Sequence, residues 1–267
     1  MEIKMIALDL DATLLTSDKT ISAANTQILK QLHAAGLKIV ICTGRPINVI
    51  QDYINQLGLT GVNDYTITFN GSLVINNATR AAIFKHGLTK EDFVPLMQFV
   101  QANNDPLNIL DFDSIYELTE LAPSQYHQIM KADVQFIPTT FADLSDQIEY
   151  SKAIMSTDPS RLDQARAAFD SAGKYHVVRS QPNILEFLAP HMNKAVGLKA
   201  LLTHFGWTFN NLMAFGDAEN DLEMLKQAGM GVAMQNGSPE AKAVSNATTT
   251  FDNDHDGVAE FLTRYFK

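Results

Sequence analysis

The stretch that decides the fold is MIALDLDATLL, at residues 5–15. It begins as an apolar run and then places two carboxylates, Asp9 and Asp11, one residue apart. Carboxylates beside apolar surroundings lose hydration, so a close pair needs a cation, a shared proton or a basic partner. Such a pair also fits a solvated turn or a helix cap. Because Mg²⁺ prefers oxygen ligands, the stretch indicates a buried strand that ends at a metal site.

Three later segments carry residues suited to phosphoryl transfer. They are IVICTGRP at residues 39–46, Lys194, and LMAFGDAEND at residues 212–221. Two of these are again apolar strands that end in polar residues, Thr43 and Asp217. Ligands of open α/β sheets gather beyond the carboxyl ends of the parallel strands, so these strand ends are expected to converge on one crevice.

Strand-like and helix-like runs alternate through the first 80 residues, which favours βαβ units and a parallel sheet. Ser22 can begin a helix that Gly36 ends, and Gly58 can end the next one. The pattern loosens from residue 81 to residue 189, where no catalytic motif occurs. We predict strands at 108–112 and 149–155 and helices at 89–103 and 159–172 in that region, then a helix at 193–205 and a strand at 211–215.

In this order, the four segments resemble motifs one to four of the haloacid dehalogenase superfamily, specifically its Cof-type sugar-phosphatase branch. The stretches GMGVAMQNG at 229–237 and DGVA at 256–259 resemble the same branch. The resemblance implies an α/β fold with a Rossmann-like parallel-sheet core, made of residues 1–80 and 190–267. An α+β cap of the C2B type would be inserted at residues 81–189.

The resemblance also implies the chemistry. Asp9 would attack phosphorus and form an aspartyl-phosphate, and Asp11 would serve as general acid and then as general base. The Asp9 carboxylate, the Asp11 backbone carbonyl and Asp217 would bind Mg²⁺. Asp221 would orient metal-bound water from the outer shell. The predicted phosphate-binding residues are Leu10, Thr43, Gly44, Lys194 and Asn220.

One residue departs from the family pattern. The family usually has glycine after the second aspartate, whereas this chain has Ala12. A glycine there would allow a positive φ or a close approach to phosphate, which alanine tolerates poorly. We expect Ala12 to take the turn with a negative φ and to alter access to the site only slightly.

The composition and the first residues indicate which kinds of partner and which compartment to expect. Asp and Glu total 30 against 20 Lys and Arg, without a basic stretch, so a nucleic-acid backbone would be repelled. The first residues fit neither a signal peptide nor a membrane helix, and we expect a cytoplasmic protein. Cys42, the only cysteine, is expected in the core. The sequence does not indicate an oligomeric state.

The sequence thus predicts a Mg²⁺-dependent phosphatase of small phosphorylated metabolites, with sugar phosphates as the substrates that the resemblance implies. The cap would select the substrate. Two alternatives stay open at this point. One is a phosphomutase of the same superfamily, and the other is a non-enzymatic phospho-acceptor or binding module, although a receiver-type module would need neither this length nor a cap.

Overall fold

The computed structural model describes residues 2–130, 135–169 and 172–267. The chain divides into two compact units. The core unit contains residues 1–45, 50–85 and 193–267. The inserted unit contains residues 46–49 and 86–192.

Strands and helices alternate through the described residues. The strands are β1 (Met5–Leu8), β2 (Lys38–Ile41), β3 (Tyr65–Thr68), β4 (Leu73–Asn76), β5 (Ala82–Lys85), β6 (Asn108–Leu110), β7 (Ile115–Leu118), β8 (Phe136–Thr139), β9 (Lys152–Ser156), β10 (His176–Gln181), β11 (Ile184–Leu188), β12 (Leu212–Gly216), β13 (Met230–Ala233) and β14 (Ala247–Thr248). The α-helices are α1 (Ala23–Ala34), α2 (Gln51–Leu57), α3 (Val94–Asn103), α4 (Tyr126–Ile129), α5 (Pro159–Ala168), α6 (Lys194–His204), α7 (Leu222–Gln227), α8 (Pro239–Val244) and α9 (Gly257–Tyr265).

A five-stranded parallel sheet forms the centre of the core unit, in the order β14-β13-β12-β1-β2. β1 lies between β12 and β2, and Leu8 pairs with both Phe215 and Ile41. The carboxyl ends of these three strands therefore lie side by side. A separate mixed sheet of six strands, β10-β11-β9-β6-β7-β8, forms the inserted unit. The predicted class, an α/β core with a parallel sheet and a separate inserted α+β unit, is confirmed.

Local sequence explains several element ends. The Ser22 side chain accepts a hydrogen bond from the Asn25 amide and so caps the start of α1. Gly58, with φ at 72°, ends α2 in the left-handed region that favours glycine. No helix of the described residues is both long and apolar enough to cross a membrane.

The apolar core fixes the position of α6. Met5, Ala7 and Val40 of the parallel sheet share one buried cluster with Leu198 and Leu201 of α6. Cys42 belongs to the same cluster, and burial raises the pKa of its thiol, as expected for a core cysteine. Burial of leucine-sized side chains is worth about 1.5–3 kcal/mol each. This packing holds the first residue of α6, Lys194, near the carboxyl end of β1.

The chain passes between the two units at residues 85/86 and 192/193, and also at 45/46 and 49/50, whereas the sequence placed the boundaries at 80/81 and 189/190 alone. The difference at the first boundary has a physical reason. β5 pairs with β4 in an antiparallel sheet of the core unit, so its residues stay with that unit. Main-chain pairing between strands is not visible in the local pattern of a short, exposed strand.

The elements predicted between residues 81 and 189 occur with shifted ends. β6 stops at Leu110, β9 begins at Lys152, and α3 begins at Val94 after a turn of 3₁₀-helix at Glu91–Phe93. α5 ends at Ala168, and residues 170 and 171 of the predicted helix lie outside the described residues.

Candidate active site

Asp9 begins the site, directly after β1. Its amide donates to the Phe215 carbonyl at 3.0 Å, which continues the ladder to β12 by one residue. Residues 10–14 then form a tight turn, and the Leu15 amide donates to the Leu10 carbonyl at 2.8 Å. The turn leaves Asp9 with only 6% of its surface exposed. An ionised carboxylate at this depth needs a partner.

Lys194 is that partner. Its Nζ donates to Asp9 Oδ1 at 2.5 Å and to Asp221 Oδ1 at 2.6 Å, and Lys194 is completely buried. The Asn193 side chain caps α6 by accepting from the Ala195 and Val196 amides. Burial alone would lower the pKa of Lys194, but the charges of Asp221 and Asp9 outweigh it and raise that pKa. Lys194 is therefore a permanent positive charge between two carboxylates.

The close approach of α6 depends on a glycine. Gly71 has φ at 100°, and a Cβ there would lie 2.1 Å from the Asn193 carbonyl oxygen. Any other residue would push the start of α6, and with it Lys194, away from Asp9.

Asp217 and Asp221 follow β12 and are held by main-chain contacts. Asp221 Oδ2 accepts from the amides of Asp217 at 2.9 Å and Ala218 at 3.1 Å. Gly216 makes room for this arrangement, because a Cβ there would lie 2.5 Å from Asp221 Cγ. Both Asp221 oxygens thus accept hydrogen bonds, one from Lys194 and one from the backbone. Asp221 positions Lys194 and the turn that carries Asp217.

The carboxylates of Asp9, Asp217 and Asp221 form one cluster, since an oxygen of each lies within 4.8 Å of the others. Burial, followed by the charge of Asp221, raises the pKa of Asp217 to about 7. Burial and the neighbouring aspartates likewise raise the pKa of Asp9, although Lys194 opposes this. Three anions against one lysine leave an excess of negative charge. Carboxylate oxygens with unmet charge suit a hard divalent cation, so the residues fit such an ion.

Asp11 lies apart from that cluster. Arg45 donates to it twice, from Nε to Oδ2 at 2.8 Å and from Nη2 to Oδ1 at 2.6 Å, and Lys19 Nζ donates to Oδ1 at 2.7 Å. Burial would raise the pKa of Asp11, but the hydrogen bonds and charge of Arg45 and Lys19 outweigh it and lower that pKa. The side chain is held as a carboxylate, the form that accepts a proton.

The other predicted phosphate ligands surround the same strand ends. Thr43 is buried, and its Oγ1 accepts from the Arg45 amide at 3.2 Å, which leaves the hydroxyl proton available for donation. Asn220 Nδ2 donates to Asn70 Oδ1 at 3.2 Å. The Asn70 side chain also packs on Gly44, where a Cβ would meet its Oδ1 at 3.0 Å. Leu10 is buried in the turn after Asp9.

Ala12 does not take the expected conformation. Its φ is 58° and its ψ is 11°, in the left-handed region, so the expectation of a negative φ is wrong. Ala12 takes this geometry inside the tight turn of residues 10–14, which the hydrogen bond from the Leu15 amide to the Leu10 carbonyl closes. Asn236 Nδ2 donates to the Ala12 carbonyl at 2.8 Å and supports the turn. A left-handed alanine stores strain that a glycine would not.

Four contributors had no role in the sequence-based site. Thr13 Oγ1 donates to Asp217 Oδ1 at 2.9 Å, Asn236 holds Ala12, and Arg45 and Lys19 bind Asp11. Thr13, Arg45 and Asn236 lie within stretches that carried the resemblance, which is the signal that could have found them. Lys19 lies in no motif and has no such signal.

Comparison with known proteins identifies the family. A family model described as haloacid dehalogenase-like hydrolase matches residues 6–262. The 5-amino-6-(5-phospho-D-ribitylamino)uracil phosphatase YitU of Bacillus subtilis is 32% identical over 270 residues, which cover 98% of this chain and 97% of YitU. The chain belongs to the family of haloacid dehalogenase-like hydrolases.

Solved structures agree in fold. A haloacid dehalogenase-like hydrolase from Bacteroides thetaiotaomicron is 31% identical, with a TM-score of 0.84, and the match covers 99% of this chain and 100% of that one. A subclass IIB sugar phosphatase of the same superfamily has a TM-score of 0.81 at 24% identity, covering 98% and 99% of the two chains. The resemblance to the haloacid dehalogenase superfamily is confirmed, and the fold agrees with that of the subclass IIB sugar phosphatase. The protein is a phosphatase, a phosphoric monoester hydrolase, of small phosphorylated metabolites, and its aspartate cluster indicates a divalent metal site.

Proposed function

We propose that the protein is a Mg²⁺-dependent phosphatase of sugar or polyol phosphates that works through an aspartyl-phosphate on Asp9. The observation that carries this proposal is the contact of Lys194 with both Asp9 and Asp221 beside Asp217. A nucleophilic carboxylate that attacks a phosphate dianion must have its own charge offset. Lys194 offsets the charge of Asp9, because its Nζ lies 2.5 Å from Asp9 Oδ1.

Each residue has a role in the proposed reaction. Asp9 attacks phosphorus with a carboxylate oxygen, and the bond from phosphorus to the ester oxygen breaks. Lys194 and the Thr43 hydroxyl donate to the phosphoryl oxygens, together with the amides of Leu10 and Gly44 and the side chain of Asn220. Water then attacks the phosphoryl group, releases inorganic phosphate and restores the Asp9 carboxylate.

Asp11 moves the protons. In the arrangement described above it is an ionised carboxylate, ready to take a proton from the attacking water. To protonate the departing alkoxide in the first step, it must carry a proton and exchange the hydrogen bonds from Arg45 and Lys19 for one to the ester oxygen. Arg45 and Lys19 are therefore positioning residues for the acid and base group.

Asp9, Asp217 and the Asp11 backbone carbonyl are proposed to hold Mg²⁺, and Asp221 to orient the ion's water ligands while it holds Lys194. When bound, Mg²⁺ would neutralise charge on the phosphoryl oxygens and on Asp9. The choice of substrate is argued from relatives. One solved neighbour is a sugar phosphatase, and YitU acts on an ester that carries a ribityl chain, so both names indicate polyhydroxylated leaving groups.

The test is phosphate release from a panel of sugar, polyol and nucleotide phosphates, with wild type and Asp9→Asn compared. Asp9→Asn should fold normally, as judged by its thermal melt, and should lose turnover. A brief reaction with labelled ester, quenched in acid, should leave the label on a peptide containing Asp9 in wild type alone. A folded Asp9→Asn variant that keeps a tenth of wild-type turnover would contradict the proposal.

A further inference from the structure

A buried turn of the core unit, residues 69–71, has no role in the proposed reaction. The turn follows β3, and its residues Phe69, Asn70 and Gly71 all have a positive φ, of 51°, 53° and 100°. Phe69 and Asn70 are each only 1% exposed. Glycine and asparagine take the left-handed region more readily than other residues, whereas a bulky residue such as phenylalanine rarely does. Strained backbone of this kind persists where the surrounding structure holds it, and it is concentrated at functional sites.

The main chain of the 69–71 turn contacts two segments that carry predicted phosphate ligands. The Asn70 amide donates to the carbonyl of one such ligand, Thr43, at 3.1 Å. Gly71 lies so close to the start of α6 that a Cβ there would be 2.1 Å from the Asn193 carbonyl oxygen. Within the core unit, the turn therefore lies between the residue that follows β2 and the residue that precedes Lys194.

The Asn70 side chain contacts two further predicted ligands. Its Oδ1 accepts a hydrogen bond from Asn220 Nδ2 at 3.2 Å. Its amide group also occupies the space that a side chain at Gly44 would need, because a Cβ there would lie 3.0 Å from Asn70 Oδ1 and 3.2 Å from Asn70 Nδ2. Asn70 thus bridges the segments that follow β2 and β12.

The contact between Asn70 and Asn220 decides which end of the Asn220 amide is used. A primary amide has an acceptor oxygen at one end and a nitrogen with two N–H donors at the other. A phosphate dianion only accepts hydrogen bonds, so Asn220 can bind it with the nitrogen alone. Asn70 Oδ1 also accepts from that nitrogen, and this contact uses one of the two N–H groups.

We propose that Asn70 is a positioning residue of the phosphate site, because it fixes the Asn220 amide with an N–H group toward the phosphoryl group. This rests on the proposed phosphatase function and adds a residue that acts through Asn220 without contacting the substrate. A reversed Asn220 amide would direct its carbonyl oxygen at the phosphoryl oxygens and repel them. Loss of the Asn70 side chain should therefore remove most of the benefit that Asn220 gives.

The test uses Asn70→Gly and Asn70→Ala, which both remove the amide group. Glycine takes the left-handed conformation freely and alanine does not, so the variants differ in backbone strain and share the loss of the hydrogen bond. Asn104→Gly is the matched control, because Asn104 has φ at 52° at the exposed end of α3 in the inserted unit. Asn220→Ala and the double variant Asn70→Gly/Asn220→Ala complete a double-mutant cycle.

We expect Asn220→Ala to lower kcat/KM for p-nitrophenyl phosphate at least about tenfold, since it removes a hydrogen bond to a charged group. Asn70→Gly and Asn70→Ala should each lower kcat/KM about five- to tenfold, and the double variant should lose no more than Asn220→Ala alone. Orthovanadate is a phosphate analogue that takes the five-coordinate geometry of the transition state, and its inhibition constant should rise by the same factors. Asn104→Gly should equal wild type in both measurements.

Losses that multiply in the double variant would overturn the proposal, because Asn70 would then act independently of Asn220. Wild-type activity of Asn70→Gly combined with reduced activity of Asn70→Ala would also overturn it, and would leave the 69–71 turn with a conformational role alone. Thermal melts check the folding of each variant. If Asn70→Gly does not fold, Asn70→Ala takes its place in the double-mutant cycle.

If wild type releases phosphate from no ester, the proposed function fails instead, and Asn70 is tested by thermal shift with orthovanadate and Mg²⁺. The shift of wild type should be retained in Asn104→Gly and reduced alike in Asn70→Gly and Asn220→Ala. No shift in wild type, or a full shift in Asn70→Gly, would overturn the proposal.

Discussion

Lys194 and Asp221 form a completely buried ion pair, 2.6 Å from Nζ to Oδ1, and Asp9 lies at 2.5 Å from the same Nζ. One lysine thus links the end of β1 to the turn after β12. Asp221 in turn accepts hydrogen bonds from the backbone amides of Asp217 and Ala218. Removal of the lysine charge would leave three aspartates of the cluster without their protein counter-ion.

Lys194→Met should therefore destabilise the fold. Loss of one partner of a buried ion pair typically costs about 3–5 kcal/mol. Denaturant unfolding measures the change, and Lys199→Met, at an exposed position of the same helix, is the control with an expected change near zero. Mg²⁺ should restore part of the lost stability. An equal, small effect for both variants would mean that the cluster does not need Lys194 to offset its charge.

The metal-free protein should lose stability as pH rises. Burial raises the pKa of Asp217 from its ordinary value of 3.8 to about 7 in the folded protein, so the folded state binds a proton more tightly than the unfolded state. A raised carboxyl pKa stabilises the fold below the unfolded value, and this contribution disappears as pH rises through the folded value. In chelator, the melting temperature should therefore fall between pH about 4 and about 7.

Mg²⁺ should stabilise the protein more at pH about 8 than at pH about 6, because protons compete with the ion for Asp217. Asp217→Asn should flatten both dependences, since the amide does not titrate. A melting temperature in chelator that rises steadily across this range in wild type, with no difference in Asp217→Asn, would contradict the assignment of the raised pKa to Asp217.

Asp11→Asn should affect esters with poor leaving groups more than activated aryl phosphates. An aryl leaving group departs without a proton, whereas a sugar alkoxide needs one. General acid catalysis is typically worth about 10² to 10⁴ in rate, so the two substrate types should separate clearly when the first turnover is measured. Lys19→Met is a milder comparison, because Arg45 still binds Asp11. Equal losses for both substrate types would exclude Asp11 as the acid.

Ala12→Gly should stabilise the protein slightly. A left-handed conformation costs a non-glycine residue about 1–2 kcal/mol, and glycine would remove this cost. Glycine is also more flexible in the unfolded chain, which cancels part of the stabilisation. We expect a net increase of up to about 1 kcal/mol in the free energy of unfolding. Ala24→Gly, at an exposed position in the first turn of α1, should instead destabilise by up to about 1 kcal/mol.

Turnover of Ala12→Gly should stay within about tenfold of wild type, a change below roughly 1.4 kcal/mol in the barrier. If wild type is inactive on all esters and Ala12→Gly restores activity, the natural chain has a binding role instead of a catalytic one.

The sequence by itself determined the parallel sheet and the residues at its carboxyl edge. Asp9, Thr43 and Asp217 each follow an apolar run, and burial of such runs in neighbouring parallel strands brings their ends together whatever the rest of the chain does. The resemblance placed Lys194 at the same edge, although 185 positions separate it from Asp9. Local hydrophobic pattern is enough for these conclusions because each strand carries its own functional residue.

Only the tertiary structure decided which side chains meet. Arg45 and Lys19 bind the Asp11 carboxylate, β5 belongs to the core unit, and the buried Asn108 side chain has no hydrogen-bond partner among the described residues. The positive φ of Ala12 could likewise not be predicted from the sequence. In a tight turn, the closure of the turn sets the backbone conformation of a residue, even against the intrinsic φ/ψ preference of that residue. Hydrogen-bond partners depend on distances between atoms that are far apart in sequence, and hydrophobic periodicity contains no information on those distances.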